Sequence, residues 1–305
     1  YPLGVLWALK EAGLAPSSGF ELILTTDLPL AAGLSSSAAV ELASGLALLQ
    51  LGGHELCKSD LARLCRRAEN EFVGLPCGIL DQGVSAYGQK DHLVFIDCEK
   101  ENFSTVPLPP NTYLWIFDTG IKHDLVDSLY STRHSECSQA LKLLKKCEPA
   151  LPCLAAASEE LLTLTDLPEP LSKRALHVVE ENARVNLAID LLLDGAPSKE
   201  IGQLLFASHA SSRDLFENSC PELDFLVNDL RGHPSVLGAR LTGGGFGGAV
   251  LAWTEHEFSQ TEANGVAATF RKQFGNDPQI HRFEASQGAR ITDPLEKPDH
   301  RFSAN

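Results

Sequence analysis

The feature that most constrains the fold is a glycine run near the end of the chain, with five glycines among the six residues 243–248. Gly243, Gly245 and Gly248 satisfy the G-x-G-x-x-G pattern of dinucleotide sites, which requires a strand before the loop and a helix after it. The next residues, 249–253, are apolar and typical of a strand, so the context of that pattern is not met. A plain hairpin turn needs only two glycines, and this run has five. The run therefore predicts a loop between two strands whose backbone approaches another group closely.

A second loop, at residues 29–39, places small residues before three consecutive hydroxyls, Ser35, Ser36 and Ser37. These serines begin a predicted helix that runs to about Leu51. The unpaired N–H groups at a helix N-terminus favour an anion, and the hydroxyls can bind phosphate oxygens or a hydrated Mg²⁺. One serine could simply cap the helix, but three exceed that need. No Gly-Lys-Ser/Thr sequence follows, which excludes a Walker A loop.

Two acidic residues stand out because of their apolar neighbours. Asp81 follows Gly78-Ile79-Leu80, and a carboxylate among apolar residues is costly unless it has a specific role. Asp81 could be catalytic, or it could cap a helix. Glu69 falls at the edge of the apolar face of a helix that starts at Ser59 and Asp60. It is a candidate metal ligand, although an exposed neighbour of the core is the commoner case.

Helices and strands are mixed without a regular βαβ order, which predicts an α+β fold rather than a doubly wound sheet. A proline-rich stretch at residues 107–111 suggests a division into residues 1–108, residues 109–288 and a polar tail at 289–305. Strands are predicted at residues 20–26, 93–97, 103–108, 113–118, 236–241, 249–253 and 279–283. Further helices are predicted at residues 4–11, 128–147, 172–193, 198–216 and 221–230, and between the last two strands.

Composition narrows the possible partners. The formal charge is −15 and there is no block of Lys or Arg, which argues against nucleic acid and anionic membranes. No apolar stretch is long enough to cross a bilayer and the N-terminus does not resemble a signal peptide, so we expect a cytoplasmic protein. The eight cysteines include no C-x-x-C pair, which favours reduced thiols over disulfides or a zinc site.

These motifs, in this order, resemble those of the GHMP kinases, a family of small-molecule kinases that includes galactokinases and mevalonate kinases. The serine loop looks like the family's second motif and the glycine loop like its third. Segments similar to galactokinases in particular are residues 68–74, 78–82, 92–98, 219–224 and 240–242. The likeness covers nearly the whole chain to about Gly288. It implies the GHMP kinase fold, with the active site between two lobes and an incomplete N-terminal lobe.

The resemblance also implies roles for individual residues. Asp81 matches the catalytic aspartate, which orients or deprotonates the sugar 1-hydroxyl. Ser37 and Glu69 match the Mg²⁺ ligands, while Gly78 and Tyr130 match residues beside the sugar. Tyr130 also opens an apolar stripe and could belong to the core. The loop around the ATP phosphates matches Ala31, Ala32, Gly33, Leu34, Ser35, Ser36 and Ser37.

The function that the resemblance implies is ATP-dependent phosphorylation of D-galactose at its 1-hydroxyl, with Mg²⁺ as the cofactor. We expect a monomer that binds small-molecule substrates and has no nucleic-acid or membrane partner. One alternative is a sensor that binds galactose and ATP without turnover, although the intact serines and Asp81 speak against it. Another is a different GHMP kinase, such as an N-acetylgalactosamine kinase.

The chain also departs from the family pattern. The first motif of the family would lie before Tyr1, and the chain contains no methionine, so we expect that an N-terminal segment is missing. In the family that segment supplies an arginine near the transferring phosphate and contacts to the sugar, and a chain without it could fold poorly. Ala31 stands where galactokinases usually have Gly, and Asp118-Thr119-Gly120 replaces a more usual Asn-Ser-Asn run.

Overall fold

The computed structural model describes residues 1–26, 28, 35–75, 77–122 and 126–292. The chain forms two compact units. The first comprises Tyr1–Leu108 and the chain from Glu284, and the second comprises Pro109–Phe283. The division after Leu108 falls in the proline-rich stretch.

Residues 284–288 lie in the first unit, although the sequence suggested that they belong with the second. The reason is a set of backbone hydrogen bonds. The N–H of Gly288 donates to the carbonyl oxygen of Gly88 and the N–H of Ala289 to that of Ser85, each over 2.7 Å. Such pairing depends on residues about 200 positions earlier in the chain, and local sequence patterns do not reveal it.

Helices build most of the first unit. They are α1 (Pro2–Glu11), α2 (Ser36–Gly52), α3 (Lys58–Arg67) and α4 (Leu80–Tyr87), and a turn of π-helix at Ala68–Val73 continues α3. Two antiparallel strands follow, β1 (His92–Asp97) and β2 (Asn102–Pro107). Apolar residues at helical spacing meet in one buried cluster, which includes Val5, Leu9, Leu42, Leu48 and Leu61.

The predicted strand at residues 20–26 is wrong. The described residues 20–26 form neither helix nor strand and pair with none of the described strands, and Ile23 is 80% exposed. The alternating apolar pattern is present, but a strand also requires a neighbouring backbone to take its hydrogen bonds.

The second unit is built on a four-stranded antiparallel sheet. Its strands are β3 (Thr112–Lys122), β4 (Val236–Thr242), β5 (Gly247–Glu255) and β6 (Gln279–Phe283), in the spatial order β4-β5-β3-β6. The glycine run joins β4 to β5, as the sequence predicted. Since a strand and not a helix follows the glycines, the dinucleotide pattern is excluded.

Among the described residues, six α-helices belong to the second unit: α5 (Val126–Cys147), α6 (Glu159–Leu164), α7 (Leu171–Leu193), α8 (Ser198–Ser211), α9 (Pro221–Arg231) and α10 (Gln260–Phe274). Residues of α9 and α10 and of the sheet share one buried cluster, and α5, α6 and α7 contribute to a second. The helix predicted to end at residue 216 changes to a π-helical turn after Ser211. No helix among the described residues is both long and apolar enough to cross a membrane.

Candidate active site

The start of α2 presents three serines whose hydroxyls form no hydrogen bond with another described residue. Ser35, which precedes the helix, has a left-handed backbone with φ of 54°, and its side chain does not cap the helix. Ser36 and Ser37 are the first two helical residues. The structure thus contradicts the capping interpretation of Ser35, and no described residue takes the hydroxyls from an anion that would bind at the helix N-terminus. The rest of the predicted phosphate loop, Ala31, Ala32, Gly33 and Leu34, lies outside the described residues.

A buried amide joins two carboxylates in the first unit. The Nε2 atom of Gln82 donates to Oε2 of Glu69 over 2.7 Å and to Oε2 of Glu41 over 3.1 Å. Gln82 and Glu41 are fully buried, and Glu69 is 7% exposed. Glu69 is therefore not an exposed neighbour of the core. The sequence pointed to Glu69 but not to Glu41 or Gln82.

Glu69 receives a second hydrogen bond on the same oxygen. The Sγ atom of Cys77 donates to Oε2 of Glu69 over 3.4 Å. Burial and the nearby carboxylate of Glu69 raise the pKa of the Cys77 thiol to about 12, so the thiol keeps its proton. Among the described residues both donors end on Oε2, which leaves Oε1 of Glu69 for another partner.

Glu41 lies one helical turn after Ser37, so the two residues share a face of α2. Burial raises the pKa of Glu41 to about 7, and the carboxylates of Glu69 and Asp81 add to that effect. The hydrogen bond from Gln82 and the charge of the chain's N-terminus act in the opposite direction. A protonated Glu41 carries no buried charge, which is the cheaper state in an apolar interior.

Asp81 lies in the first turn of α4, directly before Gln82. It is partly buried, and it does not cap the helix because Ile79 occupies the N-cap position. The helix dipole favours a negative charge in the first turn. Gln82 and Asp81 both lie on α4. The hydrogen bonds of Gln82 connect this helix to Glu69 and to Glu41, and Glu41 lies on α2 together with Ser37.

Gly78 lies on the surface of the first unit, three residues before Asp81. A Cβ atom added there would meet no atom of the other described residues within 4 Å, and the backbone does not adopt the left-handed conformation. Neither local packing nor backbone geometry therefore requires glycine at this position.

In the second unit, the glycine loop is held by Asn218. The Nδ2 atom of Asn218 donates to the carbonyl oxygen of Gly244 over 3.1 Å, and the N–H of Phe246 donates to the carbonyl oxygen of Asn218 over 2.6 Å. At Gly245 the backbone is left-handed, and a Cβ atom there would clash with the carbonyl oxygen of Asn218. The loop therefore depends both on its glycines and on a residue 26 positions away.

Tyr130 is 55% exposed, whereas Leu144, later in the same apolar stripe, is fully buried. The interpretation of Tyr130 as a core residue is therefore wrong. A Cβ atom added to Gly244 would lie 3.5 Å from Cδ2 of Tyr130, so the ring lies beside the glycine loop. Three residues further along α5, the guanidinium group of Arg133 lies 5.7 Å from the centre of the Phe246 ring.

A third polar cluster has the composition of a hydrolase triad but not its arrangement. Nε2 of His209 lies 3.1 Å from Oδ1 of Asp224, and the Ser219 hydroxyl donates to the same oxygen over 2.6 Å. Nδ1 of His209 accepts from the N–H of Leu241 over 3.2 Å. No described contact joins the serine to the histidine, so this cluster lacks the serine–histidine bond that would activate a nucleophile. It joins α8, α9 and β4.

Sequence comparison shows that residues 1–89 match the N-terminal domain of the GHMP kinases and residues 193–276 the C-terminal domain. Galactokinases of Thermotoga neapolitana and Thermotoga maritima are 38% and 39% identical to the chain over 289 residues, which is 94% of the chain and 80% of each relative. The chain belongs to the galactokinase family. It is therefore a phosphotransferase of the sugar-kinase type, with ATP as co-substrate.

Solved structures agree with this assignment. The Lactococcus lactis galactokinase, solved in complex with galactose, matches 93% of the chain with a TM-score of 0.87 and 32% identity, and the match covers 74% of that protein. The mevalonate kinase of Methanococcus jannaschii matches 94% of the chain with a TM-score of 0.59, and 75% of that protein is covered. At 18% identity that second match shows the fold alone.

Some of the predicted site residues meet in the first unit, whereas Tyr130 belongs to the second unit. Glu69 and Asp81 and the helix that begins at Ser36 meet around Gln82 in the first unit, while Tyr130 lies beside the glycine loop in the second. Glu41, Gln82 and Asn218 were not predicted as site residues from the sequence. Glu41 had one available signal, since it is a charged residue among apolar neighbours, and Gln82 had another, since it directly follows Asp81.

Proposed function

We propose that this chain transfers the γ-phosphoryl group of ATP to the 1-hydroxyl of D-galactose, which gives ADP and galactose 1-phosphate. Membership of the galactokinase family supports this reaction, as does the likeness to a relative solved with galactose. The observation that carries the proposal is the buried Gln82 amide, because it ties Glu69 to the helices that bear Ser37 and Asp81. Phosphoryl transfer needs such fixed spacing between the groups that hold the nucleotide and the group that holds the acceptor.

Asp81 is the group that we assign to the acceptor hydroxyl. Its carboxylate accepts the proton of the sugar 1-hydroxyl, whose oxygen bonds to the γ-phosphorus as the bond to the β–γ bridging oxygen breaks. Asp81 suits this role because it accepts no hydrogen bond from another described residue. Gly78 and Tyr130 stay the residues that the family resemblance predicts beside the sugar. Each is compatible with that role by itself, since no described residue closes the space next to Gly78 and the Tyr130 side chain is exposed.

The nucleotide phosphates are assigned to Ser35, Ser36, Ser37 and the N-terminus of α2. Ala31, Ala32, Gly33 and Leu34 stay predicted members of this loop. Ser37 and Glu69 would hold Mg²⁺, and they fit it because both offer hard oxygen atoms and Oε1 of Glu69 has no described partner. A bound Mg²⁺ would neutralise charge on the phosphate oxygens, and the phosphates would complete its coordination.

We also propose that the protein works as a monomer in the cytoplasm on small-molecule substrates, without nucleic-acid or membrane partners. The charge of −15 supports the absence of polyanionic partners. All eight cysteines are free thiols, which fits a reducing compartment.

A coupled ADP-release assay with galactose, N-acetylgalactosamine and mevalonate tests the reaction. It should be run on this chain and on a version extended before Tyr1 by the segment that the family pattern calls for. We expect turnover on galactose in at least one of them. Binding of galactose and ATP without turnover in both proteins would favour the sensor, and preferred turnover on another acceptor would favour a different GHMP kinase.

We predict that Asp81→Asn lowers turnover by at least about a hundredfold, because a general base typically contributes 10²–10⁴-fold. ATP affinity should stay within about twofold of the parent protein, since Asp81 is assigned to the acceptor. Turnover and nucleotide titrations measure the two effects. Asp60→Asn is the matched control, since Asp60 is an exposed aspartate of the same unit. A comparable loss of ATP affinity in Asp81→Asn would indicate a structural role for Asp81.

A further inference from the structure

The Gln82 side chain is fully buried between two carboxylates that come from different elements. Glu41 lies on α2, and Glu69 lies on the π-helical turn after α3. Only the amide nitrogen of a glutamine can donate to a carboxylate, so the two acceptors fix the orientation of the amide. Nε2 donates to both carboxylates, and Sγ of Cys77 lies 3.9 Å from the same nitrogen. The amide therefore cannot rotate without breaking two buried hydrogen bonds.

This arrangement determines which oxygen of Glu69 can reach a ligand. Gln82 and Cys77 both donate to Oε2, so that oxygen is fully engaged inside the unit. Among the described residues nothing donates to Oε1. Hydrogen bonds to one oxygen of a carboxylate fix the direction of its other oxygen. In metal sites, groups that hydrogen-bond to the ligands orient them in the same way.

We propose that Gln82 is a positioning residue that holds the Glu69 carboxylate so that its Oε1 atom faces the cation of the phosphoryl-transfer reaction. This inference rests on the proposed function, which assigns Glu69 to the metal. Gln82 does not contact substrate or metal in this proposal. Its effect passes through the hydrogen bond to Glu69, and Glu41 orients the amide from the other side.

A purely structural role for Gln82 makes a different prediction. The Gln82 amide could simply satisfy buried carboxylates and stabilise the packing of α2 against α4. Its loss would then lower the melting temperature, and the affinity for the cation would not change. Loss of a positioning contact instead weakens metal binding by about tenfold or more, even where the protein remains folded.

The test measures binding of Mn²⁺, a paramagnetic probe for the Mg²⁺ site, in the presence of a non-hydrolysable ATP analogue. The free-ion signal in electron paramagnetic resonance reports the dissociation constant without any need for turnover. Gln82→Met keeps the length of the side chain and removes the donor. Leu48→Ala is the control for general destabilisation, since Leu48 is a buried core residue seven positions after Glu41 on α2. Melting temperatures are recorded without metal.

We expect Gln82→Met to raise the Mn²⁺ dissociation constant about tenfold or more, with metal-free binding of the analogue unchanged, and Leu48→Ala to lower only the melting temperature. A Gln82→Met protein that binds Mn²⁺ like the parent overturns the inference, whatever its melting temperature. If Gln82→Met does not fold, Gln82→Asn carries the same test, because its amide is one methylene too short to reach both carboxylates.

Glu69→Gln separates this inference from the proposed function. Parent-like Mn²⁺ binding in Glu69→Gln would remove Glu69 from the metal site, and both the metal assignment and the role of Gln82 would fail. Weakened binding in Glu69→Gln with parent-like binding in Gln82→Met would overturn the positioning role alone.

Discussion

At the scale of single residues, Gly78 can be understood from the space around it. A glycine is usually required by a left-handed backbone or by a close neighbour, and in the part of the chain that the structure describes Gly78 has neither. A substrate that approaches the backbone at Gly78 would explain why this position is a glycine. The resemblance to galactokinases assigned Gly78 to the sugar, and the open space is compatible with that role.

We predict that Gly78→Ala leaves the melting temperature unchanged and raises KM for galactose about tenfold, which corresponds to about 1.4 kcal/mol. The added methyl group would stand where the sugar approaches, and it would touch no other described residue of the unit. Steady-state kinetics and thermal unfolding measure the two effects. Gly19→Ala is the matched control, because Gly19 also has open space and an ordinary backbone. An unchanged KM in Gly78→Ala would place the sugar elsewhere.

Glu41 gives the molecule a specific dependence of stability on pH. Burial raises its pKa in the folded state from 4.5 to about 7, so the folded protein binds this proton more tightly than the unfolded chain. The resulting stabilisation is complete below about pH 4.5 and is lost as the pH rises through 7.

We therefore predict that the free energy of unfolding of Glu41→Gln rises relative to that of the parent protein by roughly 2 to 3 kcal/mol between pH 5 and pH 8. Glutamine keeps an oxygen for Gln82 but has no proton to lose. Urea denaturation at several pH values measures the difference. Parallel pH profiles for the two proteins would show that Glu41 does not titrate in this range.

At the scale of elements, the glycine loop depends on contacts from outside its own hairpin. Two arginines bind the carbonyl groups at the end of the π-helical turn that precedes Asn218. Arg174 donates to the carbonyl oxygen of Leu215, and Arg133 donates to that of Phe216 over 2.7 Å. These bonds satisfy carbonyls that a helix end leaves unpaired. The two arginines thereby fix the end of the turn that leads to Asn218, the residue that contacts the glycine loop.

We predict that Asn218→Ala lowers kcat/KM about tenfold, because the loop beside Tyr130 loses its hydrogen bond to the carbonyl oxygen of Gly244. The protein should remain folded, since the hairpin strands keep their own pairing. Kinetics and circular dichroism measure these effects. Asn182→Ala is the control, since Asn182 makes a similar bond to the carbonyl oxygen of Ala155, away from the loop. Equal effects of the two substitutions would contradict a special role for Asn218.

The comparison of predicted and observed elements shows where local patterns suffice. Long helices such as α2 and α7 and the strands of the second unit's sheet were predicted correctly, because each is a largely apolar segment of the right length that turn or loop residues bound. Helix α4 was missed, since it has only eight residues and no capping side chain. The strand at residues 20–26 was predicted wrongly, because pairing depends on a partner that a local pattern cannot show.

At the scale of the whole molecule, all eight cysteines are free thiols. Cys57, Cys98 and Cys147 are exposed, whereas Cys65 is buried and its burial raises the pKa of the thiol well above the ordinary value. Burial also raises the pKa of Cys220 to about 12. Thiolates are the reactive form, so buried thiols of this kind react slowly.

We predict that a chromogenic disulfide reagent modifies the three exposed cysteines first in the native protein and all eight after denaturation without reductant. The time course of colour release counts the thiols in each state. Fewer than eight thiols in the denatured protein would reveal a disulfide.

The sequence by itself determined the fold class, the glycine hairpin, the helix after the serine loop and the family, because each depends on local periodicity or on motifs of fixed spacing. The tertiary structure decided how the chain near Gly288 joins the first unit and why Tyr130 is not a core residue. It also decided which side chains surround Glu69. Glu41, Glu69 and Gln82 are up to 41 residues apart, and the hydrogen bonds between them exist only once three helical elements are packed. Local sequence patterns do not encode contacts of that range, so these residues emerged only from the folded chain.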